Sequence, residues 1–114
     1  MLAKKNRLTD SNDFAKVQSK GKTFQSTNFG VAILERGDDG PPRFAFVIST
    51  KIAKDAVDRN TVRRHMSETV RLMTGEVKDG LDVVFLAKPS IMRIPADGIV
   101  REVRAAVREC GITK

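Results

Sequence analysis

The sequence predicts an α+β fold: a two-layer sandwich, one central sheet with helices, in the order α-β-β-α-β-α. Three observations predict it. Two strand-like stretches flank a turn dense in Gly, Asp and Pro at residues 37–42. A third stretch, Leu81 to Ala87, is short, β-branched and nearly all apolar. Apolar residues recur at helical spacing in two segments, one running from Asp58 to Thr74 and one from Ile99 to Cys110.

Each element has its own local reason. Thr9 or Ser11 can cap a first helix through Asp13-Phe14-Ala15-Lys16-Val17, with Gly21 as its stop. Phe29, Val31 and Ile33 alternate with Asn28, Gly30 and Ala32, the pattern of a strand with one face more buried. After Gly37-Asp38-Asp39-Gly40-Pro41-Pro42 comes a second strand, Arg43 to Ser49, and the two are expected to form a hairpin. The helix from Asp58 to Thr74 is ended by Gly75, and the strand from Leu81 is closed by Pro89. In the last helix Pro95 lies near the start and Gly111 at the end. Neither a repeat nor a linker interrupts this order, so residues 1–114 are expected to form one domain.

Composition narrows the function classes. With 40% hydrophobic and 31% charged residues, the chain reads as neither a disordered tail nor a membrane protein. No run approaches the ~18 apolar residues of a spanning helix. The start, Met-Leu-Ala-Lys-Lys-Asn-Arg, has basic residues with no apolar stretch behind them, so no secretory signal is expected. One cysteine, Cys110, excludes an internal disulfide and a cysteine-based zinc site. A cytoplasmic location is expected.

Charge is the loudest signal: 21 Lys and Arg against 14 Asp and Glu, net +7. The excess is uneven. Residues 1–22 carry net +4 and residues 51–72 net +3, whereas residues 23–50 and 73–90 are each −1. Such patches favour a polyanion, nucleic acid ahead of a membrane surface or a small-molecule substrate.

The helix from Asp58 concentrates the chemistry. Val62, Met66, Val70 and Met73 form one apolar stripe, and Asn60, Arg63, Arg64, Ser67 and Arg71 share a neighbouring arc roughly 100° wide. Arginine forks meet phosphate oxygens bidentately, and Asn offers a donor and an acceptor to sugars or bases. Lys51 and Lys54 extend the footprint toward the helix start, where free N–H groups also favour anions. The competing interpretation is a solvated face in loose ion pairs with Asp55, Asp58 and Glu68. Only Glu68 stands four residues beyond one of these arginines, Arg64, so intrahelical pairing cannot absorb them all.

The string Ala56-Val57-Asp58-Arg59-Asn60-Thr61-Val62-Arg63-Arg64 resembles the Arg-Asn-Arg motif region of the bacterial ribonuclease P protein component. The likeness extends to Arg7-Leu8, Asp13-Phe14 and Gly21, to Phe44–Ser49, and to the run from Asp82 to Pro89. It departs at Thr50, where the family usually has a second Lys, and at Ala53, where it has Gly. Lys54-Asp55 includes one extra residue, Ser67 replaces a basic residue, and Gln18 sits where a second aromatic is common.

The resemblance implies a left-handed βαβ crossover, against the generic right-handed rule. It also implies a protein subunit that assists a catalytic RNA in removing the 5′ leader from precursor tRNA. Arg59, Asn60, Arg63 and Arg64 would contact the ribonuclease P RNA, with Lys51, Lys54 and Arg71 as outer phosphate contacts. Phe14 would line a leader cleft between the first helix and the sheet, with Phe44 or Phe46, or Phe29, near its floor. Ordinary core packing is the alternative for the last three. Mg²⁺ would be held by the RNA and substrate, leaving no catalytic residue or metal site in the protein.

Two other function classes stay open. One is an RNA- or ribosome-binding module of similar fold with no role in cleavage. The other is a stand-alone nuclease using Asp38, Asp39 or Asp82 with metal. His65 lacks a partner for general-base work and reads as a surface or RNA-facing residue; Cys110 reads as core. Arg101, Arg104 and Arg108 read as a solvated face.

Overall fold

The structure, a computed structural model, describes residues 2–114. Its main elements are α1 (Ser11–Lys20), β1 (Lys22–Gln25), β2 (Phe29–Glu35), β3 (Arg43–Val47), α2 (Ala56–Met73), β4 (Leu81–Ala87) and α3 (Ala96–Glu109). The expected order is present with one addition, β1, a polar four-residue edge strand whose only apolar residue, Phe24, gave no alternation to read.

The sheet runs β1-β2-β4-β3, and this corrects the expected hairpin. β4 lies between β2 and β3, antiparallel to β2 and parallel to β3. The cause is burial: Val83, Val84 and Phe85 are 0% exposed, so the most apolar strand takes a central position with both faces covered. The turn after β2 therefore spans a strand's width. It docks through Arg36 N–H to Gly80 O (2.8 Å) and Gly80 N–H to Gly40 O (2.7 Å). Gly80 has φ +77°, and a Cβ there would lie 2.3 Å from the Asp38 carbonyl oxygen, so only glycine fits.

The period of two along each strand sorts side chains into two layers. Phe29, Val31, Phe44, Val83 and Phe85 face α2 and α3, meeting Val62, Met66, Val70, Ile99, Val103 and Val107. Phe85 stacks on Phe29 at 5.7 Å and on Phe46 at 5.2 Å between centroids, so three of the aromatics in that layer form one stack. Ala32 and Val84 face the other way, against Val17 of α1 and Leu8, with Phe14, Leu34, Ala45, Val47 and Leu86 packed around them. One ten-residue helix cannot cover that face, so these last five remain only half-buried.

Helix starts follow capping chemistry. The Asp10 carboxylate accepts from Asn12 and Asp13 N–H, and Asp55 accepts from Val57 N–H (2.9 Å). On α2 the buried Thr69 returns its hydroxyl to His65 O at 2.8 Å. Among the described residues, no buried side-chain nitrogen or oxygen lacks a partner.

Candidate nucleic-acid interface

On α2 the stripe and the arc sort as the spacing predicts, because one face must enter the core. Val62, Met66, Val70 and Met73 are at most 5% exposed. Asn60, Arg64 and Arg71 are exposed and Arg63 is half-buried, with Lys51 and Lys54 exposed on the approach to the helix. Ser67 lies at the boundary and is buried, its hydroxyl donating to Arg64 O.

The ion pairing differs from either expectation. Glu68 binds Arg71 at 3.0 Å, not Arg64. Among the described residues Arg59, Arg63 and Arg64 have no ion-pair partner, so the solvated-ion-pair interpretation fails where the arginines are densest. Arg63 is aimed by Asn60, whose Oδ1 accepts from it at 2.7 Å. Arg59 is partly committed inward: its Nη1 donates to the carbonyls of Ala53 (2.8 Å) and Lys54 (2.9 Å), tying down the loop before α2. One helix thus presents three guanidinium groups with no acidic partner among the described residues, one of them also a loop clasp.

The aromatic residues do not gather in one cleft. Phe14 is half-buried on the α1 face, whereas Phe44 and Phe46 share the parity of Ile48 and point to the α2 face. Phe44 is 2% exposed and Phe29 1%, leaving no ring face for a base. The other half-buried residues packed with Phe14 against the core on this face are Leu34, Ala45, Val47 and Leu86. Strand parity alone, counted from Ile48, would have placed Ala45 and Val47 there.

Two of the three carboxylates singled out as metal ligands, Asp38 and Asp82, are engaged by arginine. Buried Asp82 accepts from Arg36 (2.8 Å) and twice from Arg43 (2.8 Å each). Arg43 continues to Asp13 of α1 at 3.2 Å, so the network pins α1 to the sheet. The Arg36 fork, together with the Gly40 N–H, holds the Asp38 carboxyl below its ordinary range. Carboxylates neutralised in this way do not fit a divalent cation, and no cluster of three potential ligands forms among the described residues.

Elsewhere, His65 sits half-buried at the α2–α3 junction beside Val62, Ile91 and Ile99, away from the arginine arc. Cys110 is half-buried, and burial pushes its thiol up. Arg101 and Arg108 pair with Asp97 (3.3 Å) and Glu76 (3.7 Å). A feature that the sequence hid is Glu102 of α3. It accepts from the Ser26 hydroxyl, the Asn28 N–H and the Asn28 amide at 2.5–2.8 Å, locking the β1–β2 turn to the helix. Burial alone would raise this carboxyl; those bonds and the Lys88 charge outweigh it and hold it below its ordinary value. No helix among the described residues is long and apolar enough to cross a membrane.

Fold and surface together define a small α+β sandwich that carries a basic helix on one face of a four-stranded mixed sheet. Comparison with known proteins agrees. The family model described as Ribonuclease P matches residues 2–111. The ribonuclease P protein component of Clavibacter michiganensis is 33% identical over 107 residues, covering 94% of each chain. That of Pseudanabaena is 37% identical over 84 residues, covering 74% of this chain and 72% of the relative. Among solved structures, the RNase P protein of Staphylococcus aureus superposes with a TM-score of 0.88 at 17% identity, covering 96% of this chain and 98% of that one. The protein from Thermotoga maritima gives 0.77 at 24% identity, covering 90% and 94%. The chain belongs to the ribonuclease P protein family.

Proposed function

We propose that the chain acts as the protein subunit of a ribonuclease P ribonucleoprotein, binding its RNA through α2 and the 5′ leader of precursor tRNA beside α1. The observation that carries this is the array of acid-free guanidinium groups, Arg59, Arg63 and Arg64, on a helix of a chain belonging to this family. Phosphates of a folded RNA meet these arginines, with Lys51, Lys54 and the outer nitrogens of Arg71 at the margins. The leader crosses the half-covered sheet face, where Phe14 offers a ring for stacking without sequence preference and Ala45, Val47 and Leu86 form an apolar floor. Phe46 packs on the α2 side of the sheet and is not assigned to that cleft in this reading.

In this reading Mg²⁺ held by the RNA and substrate would supply the chemistry of hydrolysis. The protein's own contribution is to neutralise phosphate repulsion between two RNAs and to hold the leader. Such a subunit works where its RNA is made and processed, which places it in the cytoplasm.

The test is cleavage of a precursor tRNA at low Mg²⁺ in three arms: a bacterial ribonuclease P RNA, the RNA plus this protein, and the protein alone. Stimulation of the RNA with no cleavage by the protein alone is the expected result. Binding without stimulation of a cognate RNA would instead favour a general RNA-binding module. Cleavage by RNA-free protein would overturn the assignment of chemistry to the RNA.

A further inference from the structure

Between the N-terminal segment and α2, at the outer edge of β3, lies a groove of about 520 Å³, within the range of ligand clefts. Leu8 and Thr9 form one wall, Asn60, Arg64 and Ser67 the other, and Phe46 lies at the floor. Arg63 reaches the same space. The comparably large cleft at the β1 edge mixes Lys20, Lys22 and Lys78 with Glu35 and Glu109, so its charge does not select an anion. Among the described residues, every charged side chain lining the β3 groove is an arginine: Arg7, Arg63 and Arg64.

The backbone adds a second feature. Leu8 N–H donates to Phe44 O at 2.9 Å, so Phe44 turns its main-chain groups away from β4 and toward the edge. Backbone direction alternates along a strand, so Phe46 also turns its N–H and C=O outward. Among the described residues the N-terminal segment bridges β3 only at Arg7–Phe44, which leaves the Phe46 pair facing the groove beyond it. An apolar floor, an adjacent donor and acceptor, and arginines at the rim are the three things an unstacked nucleotide needs: a surface for its base, partners for the base edge, and a counter-charge for its phosphate.

We infer that this groove holds one unpaired nucleotide of the RNA subunit, its base against Phe46 and Leu8 and its phosphate on Arg63 or Arg64. The inference rests on the proposed binding of that RNA by α2, because groove and arginine arc form one continuous surface. Small Ser67 and Thr9 leave the room that the base fills.

The test separates base from phosphate by salt dependence. Affinity for a bacterial ribonuclease P RNA is measured across KCl concentrations for the wild type and three variants. Ser67→Leu and Thr9→Leu narrow the groove from opposite walls and remove no charge. Each is expected to weaken binding at least about five-fold, the low end of one base–aromatic contact, with the slope of log K on log salt unchanged. Arg64→Gln is expected to reduce that slope by about one unit. Thr9 is exposed, so Thr9→Leu decides the matter even should Ser67→Leu unfold the chain.

Wild-type affinity in the folded leucine variants would mean an empty groove and overturn the inference, as would a lowered salt slope in them. An unchanged slope in Arg64→Gln together with Arg63→Gln would instead remove α2 as the RNA contact, a separate failure of the functional reading. Leucine variants that bind the RNA normally but lose precursor tRNA in the assembled complex would give the groove to the leader and overturn its assignment to the RNA subunit.

Discussion

Asp82→Asn is the substitution whose cost the structure specifies best. The carboxylate is 2% exposed and receives three guanidinium hydrogen bonds of 2.8 Å from two arginines. Asparagine keeps the volume but turns one acceptor oxygen into a donor facing a guanidinium, and it leaves two positive charges without their shared counter-ion. Removing one partner of a buried pair costs about 3–5 kcal/mol; with Arg36 and Arg43 12% and 28% exposed, some water reaches them and the low end applies. A loss of about 3 kcal/mol lowers the melting temperature of a domain this size by roughly 12 °C. Circular dichroism melting at neutral pH measures it. Arg43→Met, which leaves Arg36 on Asp82, should cost about half as much, and the double variant should fall short of the sum by about 1 kcal/mol or more. A melting point for Asp82→Asn within about 2 °C of wild type would refute the reasoning. The same variant separates structure from chemistry: well below its transition, RNA-dependent cleavage should stay within about two-fold of wild type, whereas a metal-ligand role would abolish it.

Arg59 and Arg64 should part company: Arg59→Gln frees the Ala53 and Lys54 carbonyls and costs about 1–2 kcal/mol in urea denaturation, while Arg64→Gln leaves stability unchanged within about 0.5 kcal/mol. Phe14→Ala should weaken binding of leader-bearing precursor tRNA to the assembled complex by about 5- to 100-fold and leave leaderless tRNA and RNA-subunit affinity alone, as measured by fluorescence titration. Glu102 sets an acid limit. Its carboxyl is held below the ordinary value, so its stabilisation is complete above the unfolded pKa of about 4.3 and fades as pH falls through the folded value. Glu102→Gln should therefore flatten the loss of stability on acidification below about pH 5, read from melting curves across pH.

The elements legible in the sequence were those whose pattern is local. The Val62-Met66-Val70-Met73 stripe marks α2, and the unbroken apolar run marks β4 to its exact ends at Leu81 and Ala87. Pairing was not local. Phe29–Glu35 and Arg43–Val47 look like hairpin arms because a turn joins them, and only the competition for the buried centre reveals that β4 divides them. On the site, the arginine arc follows from helical geometry, but which guanidinium is spent on the fold does not: Arg59 and Arg63 are alike in sequence, and only the loop at Ala53 and Lys54 distinguishes them. The aromatic residues divide for a simpler reason: Phe44 and Phe46 alternate with Ala45 and Val47, so the first pair packs toward α2 and the second toward α1.

That parity separates the two RNA contacts proposed for this small sheet. The α2 face and the α1 face are separated by the sheet, whose central strand is rigidly packed on both sides. The shortest connection between them runs around the β3 edge, through the segment Asn6-Arg7-Leu8. Asn6 anchors it to Pro42 O at 2.8 Å and Leu8 to Phe44 O at 2.9 Å. Leu8 belongs to the core under α1 and also forms a wall of the groove beside α2. Leu8 therefore touches both surfaces, while the sheet lies between them. The N-terminal segment, poor in apolar residues and rich in charge, is thus the joint between the two surfaces, and its three inward side chains, Leu2, Asn6 and Leu8, are all buried to hold it there.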